Sequence, residues 1–188
     1  CLPRSDGTSR IKYLAKPFPV GYVSRLGSGS TDQQKLNIAV MSKYKLESVR
    51  EIDFGPLSGP GRPTRGLLSF VLDLGGGHKF LVYGVHLKSN YGKSERNIAQ
   101  RQNALSLLKK DADSWQAKEP DVLWEVLLIG DTNVDPEQPQ FAKDASFEPL
   151  KDWVDLWKGR PLEERITLPT RHGIPEKEFP PATFDRFF

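Results

Sequence analysis

The sequence contains almost no cysteine, little net charge and no long apolar run. Its one cysteine, Cys1, among 188 residues excludes an internal disulfide framework and a cysteine-based metal site. No stretch approaches the roughly 20 apolar residues that a membrane-spanning helix needs, so we expect no membrane span. The net charge of +3 permits a polyanionic partner without demanding one, since dedicated nucleic-acid binders concentrate their basic residues in a stripe.

The residues that are present describe a globular protein. Hydrophobic residues make up 37% and aromatic residues 10% of the chain, which is enough to build a core. A length of 188 residues suffices for one domain and is short for two. We therefore expect a single domain over residues 1–188, in which strands outnumber helices.

Two strands and a hairpin are the clearest predicted elements. Residues 67–74 and 79–87 are strand-like, and residues 75–78, Gly-Gly-Gly-His, join them. Glycine supplies the positive φ that tight hairpin turns require. The second strand is almost wholly apolar, which favours a central position in a sheet. Shorter strands are predicted over residues 11–14, 20–23, 36–41, 126–129 and 182–188.

A helix is predicted over residues 95–115. Ile98, Gln102, Leu105 and Leu108 recur at spacings of three and four, which places them on one face of a helix. Residues 147–157 are expected to be short helical or irregular structure, anchored by two tryptophans.

The segment Gly-Asp-Thr-Asn at 130–133 follows an apolar strand and carries the first candidate chemistry. If the segment is extended, Asp131 and Asn133 point the same way and address one point in space. A carboxylate suits Mg²⁺ or Mn²⁺ and can orient water, and an amide can hydrogen-bond a phosphoryl oxygen. The alternative is a purely structural polar turn, for which the same residues are equally suited.

A histidine ends the apolar strand before the predicted helix. His86 could neutralise the charge of a phosphate in a transition state, or could simply lie satisfied at the edge of the core. Lys88 and Ser89 are candidate phosphate donors, although a surface turn explains them equally well. The local excess of basic residues that follows His86 leans slightly towards nucleic acid, and comprises Lys88, Lys93, Arg96 and Arg101.

An acid at the end of the chain lies in an apolar sequence. Asp185 between Phe184 and Phe187 predicts a carboxylate that must find a partner, since an unpaired buried charge is costly. The alternatives are an ion pair with Arg186 or Arg65 and a carboxylate that orients a histidine or binds metal. Arg65, just before the first long strand, is a further candidate phosphate donor, and the alternative is that it merely caps the loop.

The order of the motifs along the chain is itself informative. The motifs are, in order, residues 37–44 (Asn-Ile-Ala-Val-Met-Ser-Lys-Tyr), Arg65, residues 85–89 (Val-His-Leu-Lys-Ser), residues 130–133 and residues 184–187 (Phe-Asp-Arg-Phe). Over about residues 35–188 the chain resembles the endonuclease/exonuclease/phosphatase superfamily, which includes pancreatic-type deoxyribonuclease, abasic-site endonucleases and sphingomyelinases. The resemblance implies an α/β (α+β) fold, a four-layered sandwich of two mainly antiparallel sheets flanked by helices, with an active site that uses Mg²⁺ or Mn²⁺.

The resemblance also implies a role for four of the candidate residues. Asp131 would orient or activate the attacking water, Asn133 would hold that water or the phosphate, and both would bind the metal. His86 would stabilise the pentacovalent transition state. Asp185 would orient the family's final histidine. Arg65, Lys88 and Ser89 are candidate substrate contacts on the grounds of their residue types and positions alone.

Two family motifs do not occur in the chain: an early Asn-x-x-Gln-Glu, whose Glu binds metal, and a terminal Ser-Asp-His. We therefore expect a domain truncated at both ends, and a polypeptide that is catalytically incomplete by itself.

The leading interpretation is a metal-dependent phosphodiesterase of the nuclease type, with DNA or RNA as its phosphoester substrate. The alternatives are a phosphatase or phosphodiesterase of lipid or sugar phosphates, and a non-catalytic binding relative. A secreted or periplasmic location is a family-level expectation, and the oligomeric state is open.

Overall fold

The computed structural model describes residues 20–23 (backbone only), 38–53, 61, 63, 66–169 and 180–188. Arg65, Asn37, the predicted strand at 11–14 and the start of the predicted strand at 36–41 lie outside the described residues. The strands are β1 Val20–Val23, β2 Ala39–Ser42, β3 Glu47–Ile52, β4 Leu67–Gly75, β5 His78–His86, β6 Leu123–Asp131 and β7 Asp185–Phe187. The helices are α1 Ser94–Lys118 and α2 Leu162–Arg165, with short 3₁₀ turns at Pro139–Phe141 and Glu148–Leu150.

Five strands form one mixed sheet in the order β3-β4-β5-β6-β7, and β1 and β2 form a separate antiparallel pair. Only β5 and β6 run parallel in the larger sheet, where α1 makes the crossover between them. The predicted mixed α/β class is confirmed, and so is the central position of β5. The part of the chain that the structure describes contains no helix long and apolar enough to cross a membrane.

The predicted hairpin between β4 and β5 is confirmed. Leu68 pairs with Gly84 and Asp73 with Lys79 in antiparallel register. The turn glycines Gly75, Gly76 and Gly77 have φ values of 81°, 65° and 81°, a region that other residues rarely adopt.

Helix α1 covers one face of the sheet. Leu105 and Leu108 are fully buried against Leu81 and Tyr83 of β5, all at 0% exposure. Burial of each such leucine contributes about 1.5–3 kcal/mol. The predicted helix is confirmed. The prediction of its buried face is partly wrong, because Ile98 and Gln102 are only half-buried. The buried stripe instead begins with polar residues, namely Asn97, Gln100 and Arg101.

The opposite face of the sheet is apolar as well. Leu68, Phe70 and Val82 are buried there, with partly buried side chains packed around them. Ile38 crosses this face so closely that a Cβ added at Gly84 would lie 3.1 Å from Ile38 Cγ2. Both faces of the sheet are therefore covered at least in part, which agrees with the nearly continuous apolar sequence of β5.

Strand β3 is absent from the sequence-based prediction, because its residues do not alternate cleanly. A polar contact holds it in place: Arg50 donates to both carboxylate oxygens of Asp111 on α1, at 2.8 and 2.6 Å. The Tyr83 hydroxyl donates to the same carboxylate at 2.5 Å, and the Arg50 guanidinium lies 4.9 Å from the centre of the Trp115 ring. This cluster ties the edge strand and the central strand to the helix.

The same cluster changes the pKa values of its members. Burial alone would raise the pKa of the Asp111 carboxyl, but hydrogen bonds from Arg50 and Tyr83 outweigh burial and hold it below the ordinary 3.8. Burial and the Asp111 charge together raise the pKa of the Tyr83 hydroxyl. Asp111 therefore stabilises the fold above its unfolded-state pKa, and this contribution is lost as the pH falls through the folded-state pKa.

We expect Asp111→Asn to lower the free energy of unfolding by about 1–3 kcal/mol at neutral pH, since it removes charge-assisted hydrogen bonds. The loss should shrink below about pH 4, where the wild-type carboxylate is protonated on unfolding. Urea unfolding at several pH values measures both effects. Asp113→Asn is the matched control, because Asp113 lies on the same helix and its contact among the described residues is an exposed pair with Lys109. An equal loss in the two variants would contradict the prediction.

Candidate functional site

Three of the predicted catalytic residues form one row across adjacent strands. His86 ends β5 and Asp131 ends β6, and these two residues are partners in the parallel register. Asp131 in turn pairs with Asp185 of β7 in the antiparallel register. Residues directly opposite in a sheet have Cβ atoms about 4.5–5.5 Å apart on the same face. The side chains therefore lie together at one edge of the sheet, on the face opposite α1.

His86 and Asp131 are in direct contact within the row. His86 Nε2 lies 3.5 Å from Asp131 Oδ2, and the two side chains are 30% and 35% exposed. A protonated His86 would form an ion pair at this distance. A cavity of about 430 Å³ lies against the row, and its other walls include Val40, Ile129 and Phe187.

Asp185 differs from the expectation of a buried acid in need of a partner. Asp185 is exposed, so its charge carries no burial cost. No described residue donates a hydrogen bond to its carboxylate. The proposed ion pair with Arg186 is wrong. Arg186 is fully buried and contacts Asp155 and Asp135 instead.

Gly130 is required by the pairing of β5 with β6. Its φ is 130°, and a Cβ at this position would lie 2.2 Å from the carbonyl oxygen of Val85. No side chain can be accommodated at that distance. The glycine before Asp131 therefore lets β6 approach the backbone next to His86.

The segment that follows Asp131 is a turn and not an extended strand. The Asn133 N–H donates to Asp131 Oδ1 at 2.9 Å, and Asn133 has a φ of 58°, a left-handed conformation that asparagine tolerates. The expectation that both side chains point the same way along a strand is therefore wrong. The Asn133 amide donates to the carbonyl of Leu87 at 3.1 Å, which ties the turn to the end of β5. The segment thus forms a polar turn, while Asp131 Oδ2 faces His86.

Lys88 and Ser89 follow His86 but contact each other. Lys88 Nζ donates to Ser89 Oγ at 3.2 Å and to the backbone carbonyls of Ser89 and Tyr91. Arg101, expected to add to a basic surface, is only 1% exposed and cannot do so. The basic excess after His86 is therefore smaller on the surface than in the sequence.

Arg101 instead organises the loops of the site, a role that sequence reasoning missed. Its guanidinium donates to the Lys88 carbonyl at 2.8 Å, to Asn90 Oδ1 at 3.1 Å and to Asp144 Oδ2 at 2.8 Å. Asn90 in turn contacts the loop after β6, because its amide donates to the Asn133 carbonyl at 2.7 Å. The loops after β5 and β6 are thus joined through one arginine of α1. One signal in the sequence could have indicated this burial: Arg101 lies four residues before Leu105 and therefore on the same buried face of α1.

A second buried carboxylate, also missed, positions β7. Asp135 is 0% exposed and accepts two hydrogen bonds from Arg165 Nη1, at 2.9 and 2.8 Å, and one from the Thr183 N–H at 3.0 Å. Arg186 Nη1 lies 3.5 Å from the same carboxylate. These contacts fix the segment that carries Asp185. Sequence alone did not distinguish this acid from a surface acid.

The chemistry of the row suits a hard divalent cation only in part. Mg²⁺ and Mn²⁺ take carboxylate oxygens and keep several waters, so one or two carboxylates can anchor them. Asp131 and Asp185 supply carboxylate oxygens at the row, and Asn133 adds an amide oxygen from the turn after β6. The described residues, however, contain no group of three or more His, Cys, Asp or Glu side chains that could hold a metal ion. The donors present fit part of a coordination shell and do not complete one.

Comparison with solved structures identifies the fold. The chain has the fold of endonuclease/exonuclease/phosphatase proteins: it matches such a protein from Beutenbergia cavernae with a TM-score of 0.63 and 17% identity, over 98% of this chain and 50% of that one. A truncated Caenorhabditis elegans TDP2 matches with a TM-score of 0.59 and 19% identity, over 94% and 64% of the two chains. The human Nocturnin catalytic domain, solved with bound sulfate, gives 0.55 and 14%, over 94% and 62%.

The resemblance seen in the sequence motifs is thereby confirmed at the level of the fold. No protein-family model matches the chain, and no curated protein matches it in sequence. The chain spans between about half and two thirds of the length of these three solved proteins.

We expect Gly130→Ala to destabilise the protein by about 3–5 kcal/mol, because backbone strain adds to a clash with the Val85 carbonyl. Thermal and urea unfolding measure the loss. Gly159→Ala is the matched control: Gly159 also has a positive φ, of 77°, but its Cβ would meet nothing within 4 Å. The control should cost only about 1 kcal/mol. Similar losses in the two variants would show that β5 and β6 do not approach as closely as described.

Proposed function

We propose that this chain carries the site of a divalent-metal-dependent phosphoester hydrolase, most favourably a phosphodiesterase of the nuclease type. The observation that supports the proposal is the row of His86, Asp131 and Asp185 in consecutive register positions of three strands. The fold is one on which phosphoesterases are built, but fold by itself does not determine function. The proposal therefore depends on the side chains at the edge of the sheet.

Each residue of the site has a proposed role. Asp131 orients the attacking water and accepts its proton, with Oδ2 facing His86 and Oδ1 held by the turn. His86, in its protonated form, stabilises the negative charge that develops on the phosphoryl oxygens. Asn133 holds the water or a phosphoryl oxygen through its amide oxygen. Asp185 orients a further catalytic group from the solvent side of the row.

A bound Mg²⁺ or Mn²⁺ would neutralise charge on the phosphate and lower the pKa of a bound water. We propose Asp131 and Asn133 as its ligands from this chain, with water completing the shell. The substrate contacts are proposed for Lys88, Ser89 and Arg65. Lys88 would have to exchange its present bonds within the loop for bonds to phosphate.

The proposed architecture is the four-layered sandwich of two sheets, formed as a single domain. Two features support it: the described residues form two separate sheets, and the face of the larger sheet opposite α1 is apolar. In this arrangement a second sheet covers Leu68, Phe70 and Val82, as α1 covers the other face.

A non-catalytic relative is the second candidate. It is favoured by one observation, namely that the described residues bring together no group of three candidate metal ligands. A binding domain needs the fold and the substrate contacts but no complete metal shell.

The test is hydrolysis of plasmid DNA and of methyl p-nitrophenyl phosphate with Mg²⁺ or Mn²⁺, by this chain and by any longer polypeptide that contains it. We expect Asp131→Asn and His86→Gln each to reduce turnover by about 10²-fold or more, because each removes a group that acts on the reacting atoms. Both variants should remain folded by circular dichroism. EDTA should abolish turnover, and added metal should restore it.

Asp113→Asn is again the matched control, since it makes the same substitution on an exposed face of α1, away from the row. It should retain wild-type turnover. Undiminished turnover in Asp131→Asn would remove the assignment of the site. Hydrolysis that persists in EDTA would contradict the proposed dependence on a divalent metal. Absence of turnover from every polypeptide, together with retained substrate binding, would favour the non-catalytic candidate.

A further inference from the structure

Asp185 belongs to the row, but its own backbone groups point away from the strand beside it. The Phe184 carbonyl accepts from the Thr132 N–H at 2.7 Å, and Phe188 exchanges two backbone hydrogen bonds with Leu128 of β6. Such bonds alternate along an antiparallel strand, so the N–H and carbonyl of Asp185 face the outer edge of the sheet. Strand β7 is the last strand of this sheet among the described residues, so these two groups have no described strand to pair with.

Two side chains take the place of a neighbouring strand. Thr167 Oγ1 accepts the Asp185 N–H at 3.0 Å and the Phe184 N–H at 3.0 Å. Trp157 Nε1 donates to the Asp185 carbonyl at 3.1 Å. Both backbone groups of Asp185 are therefore hydrogen-bonded, which an edge strand otherwise leaves to water.

Both of these side chains are themselves held in place. Thr167 follows α2, and its N–H donates to the Ala182 carbonyl at 3.0 Å. Leu168 forms an antiparallel bridge with Ala182 as well. The Trp157 ring packs edge to face against Phe187, with ring centroids 5.7 Å apart at 70°. Two segments that lie outside the sheet thus determine where the backbone of Asp185 lies.

We propose that Thr167 and Trp157 are positioning residues of the row, which hold Asp185 beside Asp131 and act through it. The Asp185 carboxylate is exposed and accepts no hydrogen bond from a described residue, so its place depends on its backbone. A misplacement of about 1 Å at such a site can cost about 10²-fold in rate. The proposal rests on the proposed hydrolase function for its effect on turnover, but not for its effect on the position of Asp185.

The first test requires no turnover. Amide hydrogen exchange is followed by NMR in the whole chain and in Thr167→Val, which keeps the shape of threonine but cannot accept a hydrogen bond. The Asp185 amide should exchange about tenfold or more faster in this variant, because its acceptor is lost. Thr167→Ser retains the hydroxyl and should keep the wild-type exchange rate. Ile166→Val is the matched control, since Ile166 is the adjacent residue and is exposed; it should leave the exchange of Asp185 unchanged.

The second test is turnover of methyl p-nitrophenyl phosphate with Mg²⁺ or Mn²⁺. Thr167→Val and Trp157→Phe should each lower kcat about tenfold with little change in KM, because they displace Asp185 and leave the substrate contacts intact. Thr167→Ser should retain the wild-type kcat. Trp157→Phe keeps an aromatic ring against Phe187 and loses the Nε1 donor, so it tests the proposal even if Thr167→Val folds poorly.

Unchanged exchange of the Asp185 amide in Thr167→Val would overturn the proposal. Wild-type kcat in Thr167→Val or in Trp157→Phe would remove that residue from the positioning role. Faster exchange in Thr167→Val, in a protein that hydrolyses no phosphodiester, would uphold the placement of Asp185 and remove the hydrolase. Loss of turnover in Asp131→Asn with none in Thr167→Val and Trp157→Phe would do the reverse.

Discussion

The close parallel approach of β6 to β5 is the constraint on which the site depends. It brings the backbone of Gly130 against the Val85 carbonyl, where no side chain can be accommodated. The register that follows sets Asp131 beside His86. Antiparallel pairing of β7 then adds Asp185 to the same row. A register shift of one residue would turn the side chains of a strand to the other face and disperse the row.

Two buried arginine and carboxylate clusters extend this arrangement from the strands to the loops. Arg101 joins the loops after β5 and β6 through the Lys88 carbonyl and Asn90. Asp135 gathers Arg165 and Arg186 beneath β7. Buried charges of this kind are costly unless fully paired, and removal of one partner is strongly destabilising. The loops that carry the candidate site are therefore held by the interior of the protein and not by their own sequence preferences.

Asp131 lies between two cavities and lines both of them. One cavity adjoins His86 and Asp185, and the other is lined by carboxamides and by Phe141. Both cavities therefore open onto the same carboxylate.

The sequence by itself determined the elements whose stability is local or depends on apolar pattern. The hairpin of β4 and β5, the helix α1, the central place of β5 and the order of the motifs all follow from glycine φ preferences and hydrophobic periodicity. Strand β3 was missed because its residues do not alternate cleanly, and its contact with α1 joins Arg50 to Asp111, which is distant in sequence. Only the tertiary structure decided that Arg101 and Arg186 are buried, that Asn133 turns back to Leu87, and that Asp185 is exposed. The reason is physical: burial and pairing of a charged side chain depend on which distant groups surround it, and spacing along the chain does not specify those groups.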